Sequence, residues 1–353
     1  MEELYGIDPE IEFDIFTKVP RWFFEDSLSG GFEYYSILTD IGLLQRTPLK
    51  VDLSETVRRL HHFLPMDSSR IKNLANLVKM RRCELIICDI APMGIAVAKE
   101  AGIPSVLVEN FTWDWLYEGY VRYDERIGKY MIYMRELFGM ADYHIQTEPV
   151  CCQGDADLTT SPVSRKTRTP SSEIRKRLGV PEDRKIVLIT MGGIQGEYSF
   201  LNEIKKSEDI CFIIPGAAEE TQALGNLFLL PHHSDYFHPD LVNASDAVIG
   251  KVGYSTLAEV YHAGVPFGYI ARRRFRESPI LVSYIENQMK GLQIDDDAFY
   301  NGRWLSYLPD LLFFPRISRQ DSCGATQVAR FIGDLLTRIW DYSLGKRPAQ
   351  FPV

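Results

Sequence analysis

The sequence predicts an α/β protein built as two Rossmann-like domains, and three observations predict it. The chain has 353 residues, more than one ordinary α/β core uses and enough for two. Short apolar runs alternate with helical patterns, first from Phe13 to Gln146 and again from Ile186 to Tyr342, which is the signature of parallel sheets. Between the two series, Cys152 to Ser171 is rich in Asp, Thr, Ser and Pro, with a basic cluster of Arg165, Lys166 and Arg168. No periodic apolar pattern crosses it. The expected division is an N-terminal domain at 1–150, a linker at 151–171, a C-terminal domain at 172–335, and a terminal helix and tail at 336–353, with the two domains facing across a cleft.

In the first half the apolar runs predict strands at Phe13–Phe16, Tyr34–Leu38, Leu85–Cys88, Ser105–Val108 and His144–Gln146. Helices are predicted at Ser54–His62, Ser69–Met80 and Met93–Ala101, the last stopped by Gly102. In the second half strands are predicted at Ile186–Thr190, Ile210–Ile214, Leu227–Leu230, Ala247–Ile249 and Pro266–Ile270. Helices are predicted at Phe200–Lys205, Ser255–His262, Ile280–Met289 and Thr326–Tyr342.

A doubly wound domain ordinarily opens with a strand and a glycine-rich loop. Here Met1 to Gly6 reads as the end of a helix, and the first strand comes only at Phe13. The expectation is a first domain without its initial strand and glycine loop, with a gap beside Phe13–Phe16 and an incomplete enzyme as the result.

Composition narrows the partners. Apolar residues make up 45% and charged residues 25%, the balance of a folded globular chain. A net charge of −9 argues against nucleic acid as the partner. The acidic start lacks the basic and apolar regions of a signal peptide, and no apolar run reaches membrane-spanning length. The six cysteines show no CxxC pairing and read as reduced thiols, so the expected location is cytoplasmic.

The most informative stretch is LVNASDAVIGKVGYSTLAEVYHAGVPFGYI, from Leu241 to Ile270. A strand runs into glycines, and a helix starts directly after them. Free N–H groups at such a start bind anions, and glycine admits a close ligand. Ser255 and Thr256 add hydroxyls there, and Glu259 lies one turn on, where a carboxylate can accept two ribose hydroxyls. The plain alternative is a capped helix whose Glu favours the dipole. In the first half, Asp89 ends a strand and is a candidate base; its plain alternative is a helix cap. Asp114, between Trp113 and Trp115, is the second candidate. Asp295 to Asp297 and the adjacent pairs His61-His62 and His232-His233 are rated as solvated or divergent, so no metal site is expected.

The run GYSTLAEVYHAGVPF, from Gly253 to Phe267, resembles the donor-binding motif of GT-B glycosyltransferases. HPDLVNASDAVIGKVGYSTLAEV with Phe275-Arg276-Glu277-Ser278-Pro279, and CDIAPMGIAVAKEAGIPSVLVENFTWDWLYEGY from Cys88, are similar to the glycosyltransferase-like module fused to plant L-arabinokinases and to its free-standing bacterial relatives. The resemblance implies that Gly253, Tyr254, Ser255 and Thr256 hold a donor diphosphate and that Glu259 takes the ribose. It implies that Gly192 and Gly193 let the diphosphate approach, that Phe237 and His238 cradle the base, and that the loop with Arg276 and Glu277 faces the sugar or phosphates. The implied activity is metal-independent transfer from a nucleotide sugar, UDP-linked, to an acceptor hydroxyl, with no cofactor. A non-catalytic nucleotide-sugar sensor and a nucleotide-sugar epimerase on the same fold are the alternatives.

Overall fold

The computed structural model describes residues 1–192, 199–207, 209–319 and 322–343, without the side chains of residues 342 and 343. The chain divides into two compact units. The first comprises 1–44, 53–161 and the chain from Ser322 onward; the second comprises 45–52 and 162–321.

The second unit holds a seven-stranded sheet in the order β11-β12-β10-β9-β13-β14-β15. Its strands are β9 (Lys185–Thr190), β10 (Ile210–Pro215), β11 (Gln222–Leu224), β12 (Leu227–Leu230), β13 (Ala247–Lys251), β14 (Phe267–Ile270) and β15 (Gly291–Gln293). All pairings are parallel except that of β11 with β12. Leaving aside β11, the first strand of this sheet in the chain, β9, stands in the middle, and the strand order reverses between β9 and β13. Such a switch point leaves a crevice at the carboxyl ends of the strands.

Side chains alternate across a strand, so each strand feeds two cores. Ile186, Leu188, Cys211, Ile213 and Val248 enter one apolar cluster. Val187, Ile189, Phe212, Ile214, Ala247 and Ile249 enter the other. Covering both faces is what makes these strands continuous apolar runs rather than alternating ones.

The first unit contains β1 (Phe13–Thr17), β2 (Phe32–Ser36), β5 (Ile86–Asp89), β6 (Ser105–Glu109), β7 (Tyr143–Thr147) and β8 (Leu158–Thr160). The hairpin between them, β3 (Gln45–Thr47) with β4 (Lys50–Val51), belongs to the second unit. The first unit's sheet falls into two pieces: a parallel pair β1-β2, and a parallel four-stranded sheet β5-β6-β7-β8. Among the described residues no strand pairs either β1 or β2 with β5. Ile87, in the middle of β5, is accordingly 39% exposed.

One helix spans both pieces. The Gly324–Ser343 helix buries Ala329, Ile332 and Leu336 against Leu4, with Ile11, Phe13 and Leu85 packed on the same cluster. Its Leu335 packs with Val106 and Ile145. Apolar residues three and four apart make this stripe.

The two units depart from the expected boundaries, residues 45–52 falling in the second unit. The segment taken as linker is not structureless: Leu158–Thr160 is strand β8, whose polar three-residue sequence offers no alternation to read. The Ser171–Leu178 helix then starts at its far end. Residues 322–335 belong to the first unit, because the terminal helix finds its apolar partners there.

Candidate functional site

In the second unit, the carboxyl ends of β9 and β13 bring together Thr190, Gly192, Lys251 and the start of the Tyr254–Ala263 helix. Gly250 makes this possible. A Cβ at Gly250 would lie 2.4 Å from the Thr190 carbonyl oxygen. Gly192 takes φ +65, a left-handed conformation that suits glycine. A Cβ there would meet Lys251 Cε at 2.7 Å. Gly193 lies outside the described residues.

Lys251 was not singled out in the sequence, where a lysine reads as a surface residue. It is only 8% exposed. Burial, then the neighbouring Arg272, lower its pKa to about 8, against an opposing pull from Glu277. It precedes a helix that Gly253 opens in extended conformation, and this N-cap residue has no side chain with which to cap the first N–H groups. A Cβ at Gly253 would meet nothing within 4 Å, so the space before the helix is open. Ser255 is exposed and Thr256 is buried. A lysine ammonium and an uncapped helix start form a cationic cradle suited to a phosphate group.

Glu259, one turn further on, is 7% exposed and heavily bonded. His238 Nδ1 donates to its Oε2 at 2.7 Å, and Arg165 Nε and Nη2 donate to its Oε1 at 3.2 and 2.9 Å. Burial by itself raises a carboxyl pKa, but His238 and Arg165 outweigh it and hold Glu259 below its ordinary value. His238 Nε2 lies 3.3 Å from Thr190 Oγ1. Phe237, at the start of the His238–Ala244 helix, is faced by the guanidiniums of Arg165 and Arg168, 5.0 and 4.8 Å from the ring centroid. Arg165, like Lys251, had no assigned role in the sequence; it lies 94 residues from Glu259, and nothing in the local pattern links them.

The loop after β14 folds on itself. Arg272 and Glu277 form an ion pair with side chains only 4% and 6% exposed. The Arg272 guanidinium also lies 3.4 Å from the centroid of the Phe275 ring. Glu277 is thus engaged with Arg272, while Arg276 stays half-buried in the same loop.

In the first unit Asp89 ends β5. Its side chain is open to solvent, yet enough protein surrounds it that desolvation raises its pKa. Asp40 was missed in the sequence. It accepts a hydrogen bond from Trp113 Nε1 at 3.1 Å. Burial, opposed by that bond and aided by the charge of Asp89, pushes Asp40 up to about 6. Trp113 is stacked on Tyr117, with centroids 6.0 Å apart. Asp114 is 8% exposed and paired with Arg135 at 3.3 Å. Its carboxylate is occupied in joining two helices, Trp113–Glu118 and Gly128–Phe138.

No protein-family profile matches the chain. In sequence it is similar to L-arabinokinase of Arabidopsis thaliana, 27% identical over 301 residues that make up 83% of this chain and 28% of that protein. It is also similar to a UDP-N-acetylglucosamine–N-acetylmuramyl-(pentapeptide) pyrophosphoryl-undecaprenol N-acetylglucosamine transferase of Aquifex aeolicus. That match is 25% identical over 193 residues, 50% of this chain and 47% of the relative. The chain thus spans less than half the length of either relative. Among solved structures, a UDP-glucosyltransferase from Polygonum tinctorium superposes with a TM-score of 0.57 at 14% identity, covering 96% of this chain and 89% of that one. A Listeria monocytogenes protein assigned as a UDP-N-acetylglucosamine 2-epimerase gives 0.52 at 14% identity, covering 100% and 94%. Identities this low speak for the fold alone. The fold is that of the GT-B glycosyltransferases. Within that class, the sequence likeness is to L-arabinokinase and to glycosyltransferases.

Proposed function

We propose that the chain binds a nucleotide sugar, UDP-linked, in its second unit and transfers the sugar to an acceptor hydroxyl. The observation that carries this reading is the buried Lys251 beside an uncapped helix start at the switch point of the sheet. In the proposed complex the diphosphate lies against Lys251 and the N–H groups of the Tyr254–Ala263 helix, with the Ser255 and Thr256 hydroxyls beside it. Glu259 takes the ribose, and Phe237 and His238 flank the base. Gly192 leaves room for the phosphates, and Arg276 faces the sugar.

The bond that breaks joins the anomeric carbon to the diphosphate oxygen, and the bond that forms joins that carbon to the acceptor oxygen. The leaving diphosphate gains negative charge in the transition state, which a lysine ammonium and helix amides stabilise. That cationic set lets the reading stand without a metal ion. The acceptor proton passes to a carboxylate of the first unit, Asp89, whose raised pKa suits a base.

The test is a titration with uridine diphosphate. Wild type is expected to bind, and Lys251→Met to bind about ten-fold or more weakly, as expected on losing a charge-assisted phosphate contact of roughly 1.5–3 kcal/mol. Wild-type affinity is also expected to fall as pH rises through about 8, where Lys251 loses its proton. Equal affinity in the two proteins at neutral pH removes Lys251 from the site. A likeness in fold to a protein assigned as an epimerase supports a second reading, nucleotide-sugar epimerisation. Conversion of a nucleotide sugar with no acceptor present would favour it.

A further inference from the structure

The segment Pro162–Thr169 lies as a strap across the site in the second unit. Pro162 O accepts from His262 Nε2 at 2.6 Å, and Val163 N donates to Tyr254 OH at 2.9 Å. At the other end, the N–H groups of Arg168 and Thr169 donate to the two oxygens of buried Asp240 at 2.7 and 3.2 Å. Between these anchors Arg165 reaches Glu259.

The count of acceptor positions on Glu259 decides what this means. An ionised carboxylate offers about four lone-pair positions, two on each oxygen. Arg165 fills both on Oε1 with two N–H groups, and His238 fills one on Oε2. One position remains. A vicinal diol donates two hydroxyl hydrogens and needs two.

We infer that Arg165 is an affinity-setting gate: its guanidinium sits where a ribose would bind Glu259, and a nucleotide enters by displacing it. This rests on the donor reading above and adds a residue to it. The strap backbone stays anchored at Tyr254, His262 and Asp240 during the exchange, so only the arginine side chain swings. A closed state of this kind lowers apparent affinity by the fraction of molecules in which the site is open.

The experiment compares binding of uridine diphosphate and of inorganic pyrophosphate to wild type, Arg165→Ala, Arg165→Lys and Glu259→Gln. Pyrophosphate carries the anion without the ribose. Arg165→Ala should bind uridine diphosphate about five-fold tighter, the size expected when a partly exposed ion pair no longer competes. Its pyrophosphate affinity should not change. Arg165→Lys keeps the charge but can fill only part of Oε1, so a smaller tightening is expected, and it stands in if the alanine variant misfolds. Glu259→Gln should weaken uridine diphosphate and leave pyrophosphate alone. Unchanged or weaker uridine diphosphate binding in both Arg165 variants, with Glu259→Gln still weakening it, overturns the gate and leaves the donor reading standing. If no variant binds uridine diphosphate, or Glu259→Gln binds it like wild type, the donor reading falls and the gate falls with it.

Discussion

At the scale of single residues, the two units bury charge in opposite senses. Lys251 is buried and lies near Arg272, so its charge is costly until an anion arrives. Asp40 is a buried carboxylate with a second carboxylate, Asp89, nearby, so its neutral form is favoured. A raised folded-state pKa has a definite consequence for stability. Below its unfolded value, near 4, Asp40 is protonated in both states and its favourable contribution is fully present. That contribution is lost as pH rises through about 6. Asp40→Asn keeps the acceptor for Trp113 and removes the ionisation. Above pH 7 the variant should be more stable than wild type by about 3 kcal/mol, and at pH 3 the difference should vanish. Denaturant midpoints at the two pH values measure this; a gap that does not change with pH would show that Asp40 is not the titrating group.

At the scale of elements, the join between β9 and β13 is the tightest constraint on the site. Gly250 faces a backbone oxygen of β9, which cannot swing aside as a side chain can. Gly250→Ala should therefore separate the strands, lower stability by roughly 1–3 kcal/mol, and weaken nucleotide binding with it. Gly253→Ala, which meets open space, should cost far less, and equal melting temperatures for the two variants would contradict the account. The central strands were legible because both their faces are buried: IVLI within β9 and ICFIIP in β10 are unbroken apolar runs. Helix starts were legible where glycine or proline marks them, as at Gly253. Strand β8 and the β3-β4 hairpin were not, since they are two or three residues long and polar. The His238–Ala244 helix was not among the predicted helices. The partners of Glu259 were hidden for another reason: Arg165 meets it through tertiary structure, and its neighbours Lys166 and Arg168 made it look like part of a solvated basic run.

At the scale of the whole molecule, the second unit has a continuous sheet covered on both faces, and the first has two sheets held by the Gly324–Ser343 helix. A chain ending at Cys323 should keep a folded second unit and its nucleotide affinity, while residues 1–161 become sensitive to protease. Equal resistance of the two segments would mean that the helix is dispensable. The arrangement also has a consequence in time. The ribosome makes the first unit's strands early and their covering helix after them, with residues 162–321 of the second unit between. At roughly 5–20 residues per second, Val106, Ile145 and Leu85 wait on the order of ten seconds for the side chains that shield them. The later-made unit is thus free to finish folding first, and the newborn chain carries an uncovered apolar face through that interval, the time at which a chaperone has most to hold.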